Sequence, residues 1–585
     1  MLDLAEIPFF ADLSAASLTR LRRAVPRRHY AQGDVIVRIG EEGKFFQAIA
    51  EGVVRVLPDG ELDGGWRGVM LGPGQVFGEM SLFSGMPIAA TLIAVRDTTT
   101  YCLDGPAFLG LLEKEPMLHR SLTRLLIERL RNRTRHEARQ PGIAVLVGSP
   151  RDPEFRCFVD TLTRAVHCYA PGSEQGVLTT PGAEDPSVAR AALRARIEDW
   201  RQHAAGGQFL VFDGAPADLD LLMPLLDAAD VVVKLMTPDV DEQTAARIAS
   251  SAGVADIARV YLDTRPAGDT GHWAFRLPRE ELRHASADTS AWPRSRYPNL
   301  DWIARYVTFK EVGIAMSSGA ARGFAHIGVL EVFEEHGVPL DYLCGTSMGG
   351  ITALTYARCG NAQDAVRFLD ELLGANRKIR DPRLIPSVSL FGGQKIAQAA
   401  ATTFGERTFA DLQRPAAVVA ADLAAGERAV LDRGPVVPAV LATSAIPGFF
   451  PPVKHDDRIM VDGVVVSRVP VDLLNRRRCG LKIAINVLPS ARQVPEGNGA
   501  RLEHLWAQMN RPLGLKRVFG TSWELLGSWG STLEAMRADV VISPDTPPGA
   551  GFDFNRFHEL AECGRAAASE RIDGVLDSLR AMLEA

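Results

Sequence analysis

The stretch LCGTSMGG, residues 343–350, constrains the fold more than any other part of the chain. LDYLCG before it reads as a strand and GGITALTYARCG after it as a helix. Gly345 and Gly349 around Ser347 make a G-x-S-x-G pattern. Two flanking glycines permit the tight, strained strand-to-helix turn that lifts a serine oxygen out of a sheet. The helix N-terminus behind Ser347 favours developing negative charge. Ser347 is therefore a candidate nucleophile, but the motif holds no histidine to take its proton.

Two further segments bear on that gap. Upstream, EVGIAMSSGAARGFAHIGVLEVFEEHG reads as a strand over 312–317, a small-residue loop over 318–321, and a helix with Ile327, Leu330 and Phe333 on one face. Strand, tight loop and helix cluster backbone N–H groups around one point, as an oxyanion hole requires. Downstream, ATSAIPGFFPPVKHDDRIMVDGVVVSRVPVD places Asp462-Gly463 between an apolar strand, RIMV, and a second apparent strand, VVV. A carboxylate there reaches a site at the sheet edge, although Asp-Gly is equally a preferred turn dipeptide.

Taken together, the three segments resemble the patatin-like phospholipases over about 310–480. The resemblance implies a Ser347–Asp462 dyad without histidine. It also implies an oxyanion hole at Ser318, Gly319 and Ala320, supported by Arg322, Gly323, Gly345, Gly349 and Gly463. The family's usual run of glycines is here Ser318-Gly319-Ala320. Backbone donors survive that change, but a left-handed Ala320 costs roughly 1–2 kcal/mol. A histidine triad through His326 or His455 is the competing arrangement.

The remaining length of this 585-residue chain requires further domains, because single cores stop growing well below that size. Residues 1–138 alternate short apolar runs such as VIVRIG, FFQAIA and VVRVL with glycine and acidic turns, the pattern of a small barrel or jelly roll. The leucine-periodic stretch from Pro116 predicts a helix, broken by QPG at 140–142. Residues 139–305 alternate buried-type strands with helical stretches such as PSVARAALRARIEDWRQHA, predicting an α/β spacer. Residues 306–585 form the third domain, with a C-terminal helical extension. Within it, 502–536 carries Trp506, Phe519, Trp523 and Trp529 among few charges. Those side chains suit core packing or a lipid interface.

GPGQVFGEMSLFSGMPIAATLIAV in the first domain resembles the phosphate cassette of cyclic nucleotide-binding domains. The resemblance implies a ligand site around Gly78 and Glu79, with Glu79 on the ribose. The family's phosphate-pairing arginine is replaced by Ile88. An unpaired buried phosphate is costly, so the expectation is a retained fold with a lost or altered ligand, unless Arg67 or Arg96 reaches in. The whole arrangement resembles the neuropathy-target-esterase-like lysophospholipases. It implies a serine esterase acting on lysophospholipids or phospholipids, with no cofactor. The alternatives are a non-catalytic regulatory or scaffold protein and a cyclic-nucleotide-gated enzyme.

Composition narrows the remaining classes. A net charge of −6 argues against nucleic-acid binding. Seven scattered cysteines without metal spacing read as reduced thiols, and no metal site is expected. MLDLAEIPFFADLS does not resemble a signal peptide, and no apolar run approaches the roughly 18 residues of a membrane span. The expectation is a cytoplasmic protein whose membrane contact, if any, is peripheral.

Overall fold

The computed structural model describes residues 2–10, 13, 15–57, 69–84, 87–95, 97–115, 118, 121, 144–147, 152–170, 175–179, 209–213, 231–236, 257–263, 274–288, 296–374, 381–382, 388–455, 457–488, 530–547 and 550–584. Most of the helix expected from Pro116, the helical stretch at 186–204, Arg67, Arg96 and the aromatic residues at 506, 519, 523 and 529 lie outside them. Two compact units emerge: 1–163 with 172–260, and 164–171 with 261–585.

The first unit opens with eight strands: β1 (Arg27–Tyr30), β2 (Val35–Val37), β3 (Phe45–Glu51), β4 (Val54–Leu57), β5 (Val69–Leu71), β6 (Val76–Phe77), β7 (Thr91–Ala94) and β8 (Thr98–Asp104). They form two antiparallel four-stranded sheets, β1-β8-β3-β6 and β2-β7-β4-β5. This is the expected jelly roll. Aromatic burial holds one end: Phe46 and Phe108 stack at 4.2 Å, with Phe9 and Phe10 against them. The middle strands are β9 (Ala144–Val147), β10 (Gln175–Thr179), β11 (Phe209–Asp213), β12 (Val231–Met236), β13 (Ile257–Leu262) and β14 (Ala274–Leu277). The first four pair in parallel in the order β10-β11-β9-β12. The run VVVKLM of β12, buried over its first five residues, suits a strand covered on both faces.

In the second unit, β15 (Val312–Met316), β16 (Tyr342–Thr346), β17 (Ala416–Asp422), β18 (Glu427–Leu431), β19 (Val453–His455), β20 (Arg458–Asp462), β21 (Leu481–Ile485) and β22 (Val540–Ile542) form one sheet. Its centre, β17-β16-β15-β21-β22, is parallel, while β18, β19 and β20 pair antiparallel. Every residue of β15 and β16 is buried. The helix Phe557–Glu584 lies against the helix Ala325–Glu335, where Ile327, Leu330 and Phe333 are fully buried. A Cβ at Gly328 would collide with the Ala561 carbonyl, and one at Gly564 with the Ala325 carbonyl. The two helix backbones therefore approach as closely as glycine allows.

One expected element differs. VVV after Asp462-Gly463 is a 3-10 turn, Gly463–Val465, rather than a strand. Asp462 causes this, because its Oδ1 accepts the Val464 N–H at 2.9 Å and turns the chain.

Candidate active site

Strand pairing explains how Ser347 and Asp462 meet. On β17, Val418 and Val419 have β18 on one side and β16 on the other, while Ala420 to Asp422 have β18 and β20. β16 and β20 thus share one edge of β17 and run toward each other. Thr346 pairs with Val419, and Asp462 with the next residue, Ala420. The C-terminal ends of the two strands meet head to head, which leaves Ser347 facing Asp462. Ser347 Oγ donates to Asp462 Oδ2 at 2.6 Å.

The turn carrying Ser347 is strained as the motif demands, with φ at +56°. A β-carbon at Gly345 would strike the Gly349 backbone, and one at Gly349 would strike the Met316 and Ser317 carbonyls. Only glycine fits at either place. Thr443, from the ATSAIPG segment, ties the site together. Its Oγ1 accepts the Ser347 N–H at 3.0 Å and donates to Val419 O at 2.6 Å. Two residues on, Ala445 O accepts the Asp462 N–H at 3.0 Å. Nothing in the sequence marks Thr443 as distinct from the neighbouring Ser444, so only its fold position reveals this role.

Asp462 is fully buried and Ser347 is 5% exposed. Burial pushes the Asp462 carboxyl up to about 7, against the opposing pull of the Ser347 and Val464 hydrogen bonds and the positive charge of Arg468. A carboxyl poised near neutrality suits general-base work.

In the small-residue loop, Ala320 takes the left-handed conformation, φ +47°. Gly319 is extended, and a Cβ there would strike Val487. Ser318 is a correction to the expected donor group: its N–H is engaged by Arg468 O at 2.9 Å. Among the described residues, no backbone acceptor takes the Gly319 or Ala320 N–H. Arg322 and Gly323 follow in the 3-10 turn Ala320–Phe324, both buried, and Gly323 packs where a Cβ would strike Met348. Gly463 lies equally close to Val419.

Neither histidine joins Ser347. His326 is fully buried, and its Nε2–H donates to Ser317 O at 2.8 Å. Burial lowers its pKa to about 4, so it is neutral. His455 pairs with Arg458 at the opposite end of β20 from Asp462.

In the jelly roll, Gly78 has φ +90°, and a Cβ there would strike the Phe45 carbonyl. Glu79 follows, fully buried at the start of the helix Glu79–Ser84. Ile88 is 9% exposed; its N–H donates to Glu41 O and its carbonyl accepts from Gly40 N, both at 2.8 Å. Among the described residues, no group of three or more His, Cys, Asp or Glu is placed to hold a metal.

Comparison with known proteins agrees with this layout. Residues 314–475 match the model for patatin-like phospholipase, and residues 27–115 that for the cyclic nucleotide-binding domain. An uncharacterised NTE family protein of Mycobacterium tuberculosis is 25% identical over 601 residues, covering 99% of this chain and 97% of that one. The lysophospholipase NTE1 of Pyricularia oryzae is 26% identical over 275 residues, 45% of this chain and 18% of that protein. Among solved structures, the catabolite activator protein of Thermus thermophilus aligns at 28% identity, covering 28% of this chain and 68% of that one, TM-score 0.20. The chain carries a patatin-like phospholipase domain behind a cyclic nucleotide-binding domain, and is similar to NTE family proteins along nearly its whole length.

Proposed function

We propose that the protein is a serine esterase that hydrolyses acyl esters of lysophospholipids or phospholipids through Ser347 and Asp462. The 2.6 Å hydrogen bond between their side chains carries the reading. Ser347 Oγ attacks the ester carbonyl while Asp462 takes its proton directly. Negative charge develops on the carbonyl oxygen, where the amides of Gly319 and Ala320 and the N-terminus of the helix Met348–Cys359 stabilise it. Asp462 then returns the proton to the leaving alcohol, and an acyl-Ser347 intermediate remains. Water, deprotonated by Asp462, attacks that intermediate and releases the fatty acid. His326 stays outside the chemistry, its one N–H committed to Ser317 O.

Peripheral contact with a lipid surface belongs to the same proposal. Val465 and Val466, just beyond Asp462, are exposed, as are Leu533 and Met536. Among the described residues no helix is long and apolar enough to cross a membrane. The division into 1–138, 139–305 and 306–585, and a first domain that has lost or changed its nucleotide ligand, are also part of it.

Fatty-acid release from a lysophospholipid panel by wild type and Ser347→Ala tests the reading, alongside fluorophosphonate labelling. Release and labelling that both vanish in the variant support it. An unlabelled wild type with no release would favour the regulatory or scaffold role.

A further inference from the structure

The nucleophile turn and the small-residue loop are both tied to one short stretch, residues 467–470. Three of its carbonyls accept from the strand end before Ser347 and from the small-residue loop. Ser467 O accepts from Thr346 Oγ1 at 3.0 Å, Arg468 O from Ser318 N at 2.9 Å, and Pro470 O from Cys344 Sγ at 3.5 Å. Apart from the Ser467 N–H, which goes to Gly463 O, three of its donors converge on one acceptor, Glu534 Oε2. Arg468 N lies at 2.8 Å from that oxygen, Val469 N at 2.6 Å and Ser467 Oγ at 3.3 Å.

Glu534 lies in the helical turn at 530–535, 66 residues beyond Arg468, near the end of the stretch 502–536 and outside the three segments that resemble the patatin-like phospholipases. Hydrogen bonds to an ionised acceptor are about twice as strong as neutral ones. Two convergent amides and a hydroxyl on one carboxylate oxygen therefore make a firm clamp. Burial raises the Glu534 pKa, while the bonds from Val469, Arg468 and Ser467 draw it back. The Arg468 guanidinium feels the charge of both Glu534 and Asp462.

We propose that Glu534 is a positioning residue for the Ser347–Asp462 site: it holds residues 467–469, and through Arg468 O and Ser467 O these set the small-residue loop against the nucleophile turn. The inference rests on the esterase reading, with Gly319 and Ala320 as oxyanion donors. Glu534 touches no reacting atom. Its loss leaves the Ser347–Asp462 bond in place and lets the Ser318–Ala320 loop drift from the position of the oxyanion. That interaction is made in the transition state, so the expected loss is in kcat with KM little changed.

Removing one oxyanion donor outright costs about 10²–10³ in kcat. Loosening two is expected to cost about 10–100-fold in Glu534→Ala. Glu534→Gln keeps an acceptor oxygen for the same amides and is expected to stay within about fivefold of wild type. The assay is kcat and KM for fatty-acid release, with Tm and the rate of fluorophosphonate labelling for each full-length variant. Wild-type kcat in a folded Glu534→Ala, an equal loss in Glu534→Gln, or a rise in KM alone would overturn the proposal. If Glu534→Ala does not fold, Glu534→Asp decides: it withdraws the oxygen by one methylene, and wild-type kcat there would overturn the proposal. A wild type that neither labels at Ser347 nor releases fatty acid would overturn the esterase reading itself.

Discussion

Two loops of this molecule depart from the patterns they resemble, and they do so with opposite consequences. In the C-terminal unit, Ser318 and Ala320 stand where glycines are usual, yet the groups proposed to work there are backbone amides. Those of Gly319 and Ala320 persist whatever the side chain, at the cost of a left-handed Ala320. In the jelly roll, Ile88 stands where a guanidinium would meet a phosphate. The chain there keeps its backbone hydrogen bonds to Gly40 and Glu41, but a hydrocarbon offers nothing to an anion. A site built from backbone tolerates substitution, whereas one built from a charged side chain does not.

The largest effect that sharpens this contrast is at Ser347. Ser347→Ala is expected to lower fatty-acid release by about 10⁴-fold or more, since removing a nucleophile disables the whole constellation. Millimolar cyclic AMP is expected to change wild-type turnover by less than about twofold. Nucleotide-dependent turnover would break the comparison by showing that the first domain still reads its ligand.

Next in size is the reverse experiment, Ile88→Arg. A charge-assisted pair to a phosphate is worth about 1.5–3 kcal/mol, so calorimetry should find cyclic nucleotide affinity raised about tenfold or more. Without ligand, the buried cation should lower the melting temperature of the variant, and nucleotide should restore it. No gain in affinity would mean that the pocket around Glu79 has changed as well.

The pH dependence follows from Asp462, whose carboxyl stands near 7 instead of the usual 3.8. Proton transfer needs the carboxylate, so kcat/KM should rise with pH through about 7. Stability runs the other way. Between the two values the folded state binds the extra proton, so this contribution is full below about 3.8 and lost as pH rises through about 7. Asp462→Asn should therefore be inactive, yet more stable than wild type at alkaline pH by on the order of a few kcal/mol. Urea midpoints at acid and alkaline pH check both sign and window.

The smallest effect is at Ala320→Gly. Relief of the left-handed strain gains about 1–2 kcal/mol, and the extra freedom of the unfolded chain returns about 0.4–1 kcal/mol. Net stabilisation below about 1.5 kcal/mol, with kcat within about threefold, is expected from denaturation and turnover. A large rise in kcat would show that the Ala320 methyl group obstructs the loop after all.

Much of the site was legible in the residues because its demands are local. Ser347 needs positive φ and two close approaches that glycine alone permits, and the chain advertises both as Gly345 and Gly349. Asp462-Gly463 was visible as a carboxylate at a strand end, although VVV after it looked like a strand. Its turn depends on the Asp462 carboxylate capping Val464, a contact that periodicity does not encode. Thr443, Arg468 and Glu534 carried no signal at all. Their roles arise from hydrogen bonds between segments 24 to 150 residues apart in the chain.

The sequence by itself determined the jelly roll, the buried parallel sheet and the strained serine turn, because alternation, apolar runs and glycine spacing act on neighbouring residues. It also fixed the side chain at position 88, an isoleucine where the resembled cassette has an arginine. Only the tertiary structure decided that Ser347 and Asp462 meet. β16 stops at Thr346 and β20 at Asp462 on one shared edge of β17, and edge sharing depends on which strands compete for the same backbone groups. Long-range pairing of that kind is chosen by the whole sheet, and no single segment records it.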